Sequence, residues 1–277
     1  MEKKNLGQKI INAPYVLWAA IFIVVPLLVV AWYSFTGEDG SFTLNNFITI
    51  ISDAKYQKVF INSLAFAFIA TIICLVLAYP IAYFISQTSE KVQKLMVVFI
   101  MLPMWTNILI RTYSWLVLLE DAGIVNTLLN RIGMESVKFV GTSGAVILGM
   151  VYNFLPFMIL PIYSVMSKMD KRVIEAAQDL GCDGFKVLTK VIIPLSVPGI
   201  VSGITMVFVP AVSTFYISQK LGNGKITLVG DTIEYQFKFV DNGYHVGAAF
   251  SLLLMVLIFA CTAVMNKFTD EEDGILM

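Results

Sequence analysis

Six apolar stretches alternate with shorter polar segments along this chain, at residues 14–35, 59–86, 95–119, 143–166, 195–218 and 244–267. Each is long enough to cross roughly 30 Å of hydrocarbon as a helix of about 20 residues. The pattern predicts an all-α polytopic membrane protein with six transmembrane helices. Three lysines, Lys3, Lys4 and Lys9, precede the first stretch, as they would a secretory signal. That stretch is longer than the usual apolar core of a signal peptide and runs into Trp32-Tyr33 instead of a small-residue cleavage site, so it reads as a span.

The polar segment between the fourth and fifth stretches, Asp170 to Pro194, carries its own periodicity. Asp170 is placed to cap a short helix on which Val173, Ala177 and Leu180 recur at helical spacing, and Gly181 suits a left-handed C-terminal cap. Asp183 is placed to cap a second helix, with Phe185, Leu188 and Ile192 on one face and Lys186 and Lys190 on another, limited by Pro194. Such a helix-turn-helix, held just outside a bilayer, can dock into a groove on a soluble protein.

Composition agrees with the pattern. Of 277 residues 58% are apolar and 14% charged, and mean hydropathy is +0.80, against roughly 45–50% apolar and 25% charged for soluble domains. Net charge is zero and there is a single histidine, which gives no reason to expect nucleic acid or a histidine-rich metal site. His245 reads as a residue of the membrane interface without a special role. Cys74, Cys182 and Cys261 are too dispersed for a disulfide framework or a metal site. With the N-terminus inside, the inner segments hold 11 Lys and Arg and the outer loops 7. That bias predicts both termini and the Asp170 to Pro194 insert on the cytoplasmic side.

No energy source is visible in the chain. Gly222-Asn223-Gly224-Lys225 lacks the earlier glycine of a phosphate-binding loop and has Ile226 where a magnesium-ligating hydroxyl belongs. There is no catalytic constellation, and no file of intramembrane carboxylates for a proton relay. A secondary transporter or channel is the rival from another class; an enzyme has no supporting residues.

Glu175-Ala176-Ala177, Gly181 and Val191-Ile192-Ile193-Pro194 resemble, in spacing and position, the EAA loop of permease subunits in binding-protein-dependent ABC importers. Within that family the likeness is closest to the spermidine/putrescine importer permeases. It extends through Leu102-Pro103-Met104-Trp105-Thr106-Asn107, Arg111-Thr112-Tyr113, Leu155-Pro156-Phe157-Met158, Pro161-Ile162-Tyr163 and Met169-Asp170-Lys171. The resemblance implies the type I permease fold in a bacterial inner membrane. Residues 1–58 would hold the N-terminal segment, first helix and first outer loop, 59–267 the five-helix permease domain with its coupling loop at 170–194, and 268–277 a cytoplasmic tail. It also implies a second permease, two ATPase subunits that bind ATP and magnesium, and an extracytoplasmic polyamine-binding protein. No cofactor is expected in this chain. On that reading Glu175, Ala176, Ala177 and Gly181, with Asp170 and Asp179, form the surface that meets the ATPase. Permeases of this broad group also carry ferric iron, thiamine, sulfate or opines, so the cargo has alternatives.

A path for a flexible polyammonium chain should offer carboxylates at its mouth and aromatic faces within. Candidates are Glu120 and Asp121 at the end of the third span, Asp231 and Glu234 before the sixth, and the aromatic residues Trp105, Tyr113, Trp115, Tyr152 and Tyr216. Each carboxylate also reads as a solvated loop charge, and each ring as an interfacial anchor. Trp105 leads because Pro103 is placed to open the backbone beside it. Arg111, the one charge well inside a predicted span, would repel a polycation; it is expected to pair with a carboxylate or carbonyl of the second permease, or to snorkel outward. Gly199-x3-Gly203 is expected to let two helices approach closely.

Overall fold

A computed structural model describes residues 14–273. Lys3, Lys4 and Lys9 and the last residues of the expected tail, from 274, lie outside them. Twelve helices are described: α1 Pro14–Ser34, α2 Asn45–Ser52, α3 Ala54–Ser86, α4 Glu90–Trp105, α5 Ile108–Leu119, α6 Ile124–Arg131, α7 Ser143–Met166, α8 Lys171–Asp179, α9 Gly184–Ser213, α10 Tyr216–Leu221, α11 Val229–Phe239 and α12 Tyr244–Asp273. Among the described residues there is no strand beyond the single bridge Thr36–Phe42. Helices satisfy their own backbone groups, which hydrocarbon requires.

Five helices, α1, α3, α7, α9 and α12 from Tyr244 to Met265, are long and apolar enough to cross a membrane. The expected third span is broken. Helix α4 ends at Trp105, Thr106 and Asn107 are extended, and the chain resumes from Ile108 after a bend of 88°. Counted as one broken span, this pair brings the total to six. The break is stabilised locally. Pro103 O accepts from both the backbone N–H and the hydroxyl of Thr106, and the Asn107 side chain caps α5 by accepting from Leu109 N at 2.7 Å.

Two further boundaries differ from expectation. Pro194 does not end the helix begun at Gly184, which continues into the span; the turn Leu188–Ile192 is a π-helix, and Pro194 falls in the first turn of the α-helical part that follows, where its missing N–H is tolerated. At its far end α9 stops at Ser213, so Tyr216 belongs to the separate short helix α10 and not to the fifth span. Helix α12 continues past Lys267 to Asp273.

The described residues fall into two compact units. In the first, which runs to Gln57 and again over Thr232–Leu257, Phe250 is fully buried with Tyr56 edge-on at 4.9 Å, and Gln236 donates to the Tyr56 hydroxyl at 3.1 Å. His245 lies here buried, its Nδ1 3.0 Å from Tyr33 O. Because a carbonyl only accepts, Nδ1 carries the proton. His245 thus ties α12 to the end of α1.

The second unit, Lys58–Asp231 and from Ile258 on, is organised by α7 and α9. A Cβ added at Gly199 would stand 2.9 Å from Pro161 O, and one at Gly203 would stand 2.7 Å from Met158 Sδ. The two glycines therefore set the separation of these helices. Helix α3 brings a stripe of small residues, Ala67, Ala70, Cys74, Ala78 and Ala82, all fully buried. Hydrogen bonds join the spans: Tyr79 OH and Ser196 Oγ at 3.0 Å, and Tyr163 OH to Gln93 at 3.0 Å. By contrast Phe68, Phe84 and Phe99 are exposed, as side chains facing lipid or another subunit would be.

Candidate functional site: a capped hairpin and a broken span

The hairpin after α7 is built from local signals. Asp170 caps α8 by accepting from Arg172 N at 3.0 Å. At the other end Gly181 has φ +82°; its N–H donates to Gln178 O and that of Cys182 to Ala177 O. This left-handed closure satisfies the final carbonyls and favours a residue without a Cβ. Asp183 then caps α9, accepting from Lys186 N at 2.8 Å and pairing with the Lys186 ammonium at 3.6 Å.

What this hairpin presents is unpartnered within the described residues. Glu175, Ala176, Asp170, Asp179 and Gly181 are exposed and Ala177 is half-buried. Glu175 and Asp179 form no ion pair with described residues. Two residues of the expected apolar faces point outward: Leu180 is 86% and Phe185 74% exposed. The inward contacts fall to Val187 and Ile192, both buried. The outward surface thus combines apolar Leu180 and Phe185 with the acidic Glu175 and Asp179, and a firmly capped backbone holds it in place. Below it two clefts, one lined by Lys168, Met169, Asp170 and Val173 and the other by Tyr83, Gln87, Ser167 and Ile174, separate α8 from the ends of α3 and α7.

The candidate pathway residues divide. Trp105, 71% exposed, stands at the C-terminal end of α4 beside the break. Tyr113 on α5 and Tyr216 on α10 lie 6.4 Å apart, and the Lys220 ammonium sits over both rings, at 5.2 and 5.7 Å from their centroids. Trp115 and Tyr152 meet edge to face at 5.3 Å. The carboxylates do not converge. Glu120 and Asp121 are exposed in the turn between α5 and α6. Asp231 is buried and accepts from Leu228 N at 2.7 Å, closing the N-terminus of α11, which is a structural task. Glu234 pairs with Lys238 one turn on. In the loop between α1 and α2 Ser41, through its hydroxyl and backbone N–H, holds the Asp39 carboxyl below its ordinary range.

Arg111 lies on α5, with Nε and Nη1 buried and without a hydrogen-bond partner among the described residues. Sequence reading passed over Lys220 and the small-residue stripe of α3. The spacing of Ala67, Ala70, Cys74, Ala78 and Ala82 was available as a signal; the meeting of Lys220 with Tyr113 was not, because it joins residues 107 positions apart.

Residues 78–270 match the family described as binding-protein-dependent transport system inner membrane component. The chain is 41% identical over 262 residues to the spermidine/putrescine transport system permease protein PotB of Haemophilus influenzae, covering 92% of this chain and 91% of that one. It is 38% identical over 270 residues to the protein of the same name in Escherichia coli, covering 92% and 98%. Among solved structures, a chain of a bacterial alginate ABC transporter in complex with an alginate pentasaccharide-bound periplasmic protein superposes with a TM-score of 0.79 at 17% identity, over 96% of this chain and 95% of that chain. At that identity the likeness speaks to the fold alone.

Proposed function

Since this chain belongs to the family of inner membrane components of binding-protein-dependent transport systems, we propose that it forms half of an ATP-driven import path for spermidine and putrescine. A second permease completes the path, two ATPase subunits dock on the hairpin of α8 and the start of α9, and an extracytoplasmic polyamine-binding protein delivers the cargo. The chain is a transport subunit and not an enzyme. ATP and magnesium are bound by the partner ATPases, and no cofactor resides in this chain. On this reading both termini and the hairpin lie on the cytoplasmic side, which the Lys and Arg bias of the loops supports.

The observation that carries the coupling role is the outward face of the hairpin. Leu180 and Phe185 are exposed beside Glu175 and Asp179 on a backbone fastened by two Asp caps and a left-handed glycine. Apolar side chains supply the affinity of a docked interface, while a charge at the rim sets its orientation. Ala176 and Ala177 permit close approach. Closure of the ATPases would push this hairpin and, through the unbroken helix from Gly184 to Ser213, rotate α9 against its neighbours, so that the cavity faces one side and then the other. The break at Thr106 and Asn107 supports a path there, since discontinuous helices line substrate sites in transporters. Trp105, Tyr113, Trp115, Tyr152 and Tyr216 supply aromatic faces, with Glu120 and Asp121 at the mouth; Asp231 and Glu234 are engaged locally and contribute less. Arg111 pairs with a carboxylate or carbonyl of the second permease.

The polyamine cargo rests on likeness to relatives that bear that name. Uptake of labelled spermidine and putrescine into vesicles containing the full complex, with and without ATP, tests cargo and energy source together. ATP-dependent accumulation is expected. Accumulation without ATP would point to a secondary transporter, and ATP turnover without polyamine uptake to another cargo.

A further inference from the structure

Lys220 is a cation without a carboxylate. No acidic group among the described residues lies within ion-pair distance of it, yet it is only partly exposed. Its ammonium rests instead over two tyrosine rings from different helices, within the roughly 6 Å at which an aromatic face attracts a cation. The ring centroids lie 6.4 Å apart with their planes inclined at 57°, and the ammonium lies over both.

The placement of Tyr216 does not depend on Lys220. Helix α10 is fixed by its other face: Ile217 and Leu221 are fully buried, their side chains lie where a Cβ on Gly149 of α7 would fall, and Leu221 O accepts from Gly141 N at 2.7 Å. Tyr216 and Lys220 are one turn apart on that helix, and Tyr113 is carried by α5 directly after the break in the third span. That buried face, and not the lysine, fixes the backbone that carries Tyr216.

We propose that Tyr113 and Tyr216 form a binding site for a primary alkylammonium group, and that Lys220 is its tethered occupant until a terminal ammonium of the cargo displaces it. A lysine side chain is a butylammonium group; the ends of putrescine and spermidine are aminobutyl and aminopropyl groups. A ring pair that holds one holds the other, and repulsion between like charges prevents both from being held at once. The lysine then weakens the site toward free cargo by occupying it at the high effective concentration of a short tether, which makes it a device for quick release. Regulation of the path by Lys220 rests on the polyamine reading above; the chemistry of the ring pair does not.

Two measurements separate these. In vesicles containing the full complex and a fixed, subsaturating supply of loaded binding protein, Lys220→Ala is expected to raise the initial rate of spermidine uptake about two- to fivefold, the scale of a partly exposed cation–π contact. Uptake by this variant should also become inhibitable by n-butylamine, while wild type is not. Uptake that is unchanged or reduced in Lys220→Ala overturns the tethered-competitor role. Saturation-transfer NMR with n-butylammonium on the complex in nanodiscs reads the site without reference to cargo. Signal transfer is expected in Lys220→Ala and its loss in Lys220→Ala/Tyr216→Leu. Equal transfer in wild type overturns the occupancy by Lys220, and persistence after Tyr216→Leu removes the site itself. If wild type fails to take up spermidine while the NMR result holds, the cargo assignment is wrong and the ammonium site stands.

Discussion

Gly181 and Glu175 show what one residue decides on the hairpin. Gly181 adopts φ +82°, where a β-branched side chain costs about 1–2 kcal/mol, and the cost falls on the turn that aligns α8 with α9. Gly181→Val should lower ATP-driven uptake at least tenfold while membrane insertion, read by fractionation, is unchanged. Glu175→Lys reverses an exposed charge that has no partner in the described residues, so it should leave thermal stability unaltered and still abolish uptake. If this variant transports within twofold of wild type, Glu175 has no part in coupling. Gly203 tests packing instead. Its Cβ position is 2.7 Å from Met158 Sδ and 3.2 Å from Met158 O, so Gly203→Leu overpacks the α7–α9 seam by about 1–3 kcal/mol, visible as a lower unfolding temperature in detergent. The caps of the hairpin were legible in sequence because Asp170, Gly181 and Asp183 act on backbone groups within a few residues. The outward orientation of Leu180 and Phe185 was not, since periodicity reveals that an apolar face exists and not which partner covers it.

Among the elements, the broken third span is the instructive case. Proline alone does not explain it: Pro80, Pro156, Pro161, Pro198 and Pro210 all lie inside helices that continue through them. What distinguishes Pro103 is the sequel, Thr106 folding back onto the Pro103 carbonyl and Asn107 capping a new helix. Asn107→Ala removes that cap and should cost about 1 kcal/mol. The expected outcome is a lower unfolding temperature together with reduced uptake, with the complex still co-purifying. Pro194 makes the complementary point. It reads as a stop, yet it falls just after a π-turn, in the first turn of α-helix, where its missing N–H is harmless. In both places hydropathy located an apolar stretch; at Thr106 and Asn107 polar side chains stabilise a bend, whereas at Pro194 the position in the first helical turn avoids one.

As a whole molecule the chain is one part of a machine. It holds no nucleotide-binding motif, so purified alone in vesicles it should show no ATP-dependent uptake, and the full complex should; uptake by the isolated chain would support the rival secondary transporter. The proposed pairing of Arg111, whose Nε and Nη1 are buried without a partner among the described residues, with a second permease is tested at this scale. Arg111→Glu should reduce co-purification of that subunit, and a variant that assembles and transports normally would refute the pairing. Six apolar stretches and the motifs that carry the family resemblance were enough, by themselves, to determine an all-helical membrane permease with a capped hairpin before its fifth span. Those signals are either local or summed over many residues, so they survive without knowledge of any contact. Only the tertiary structure decided that Gly199 and Gly203 seat α9 on α7 and that Lys220 rests between Tyr113 and Tyr216. Each of these joins residues through space on helices whose rotation about their own axes is set by packing, and packing is where a linear pattern carries least information.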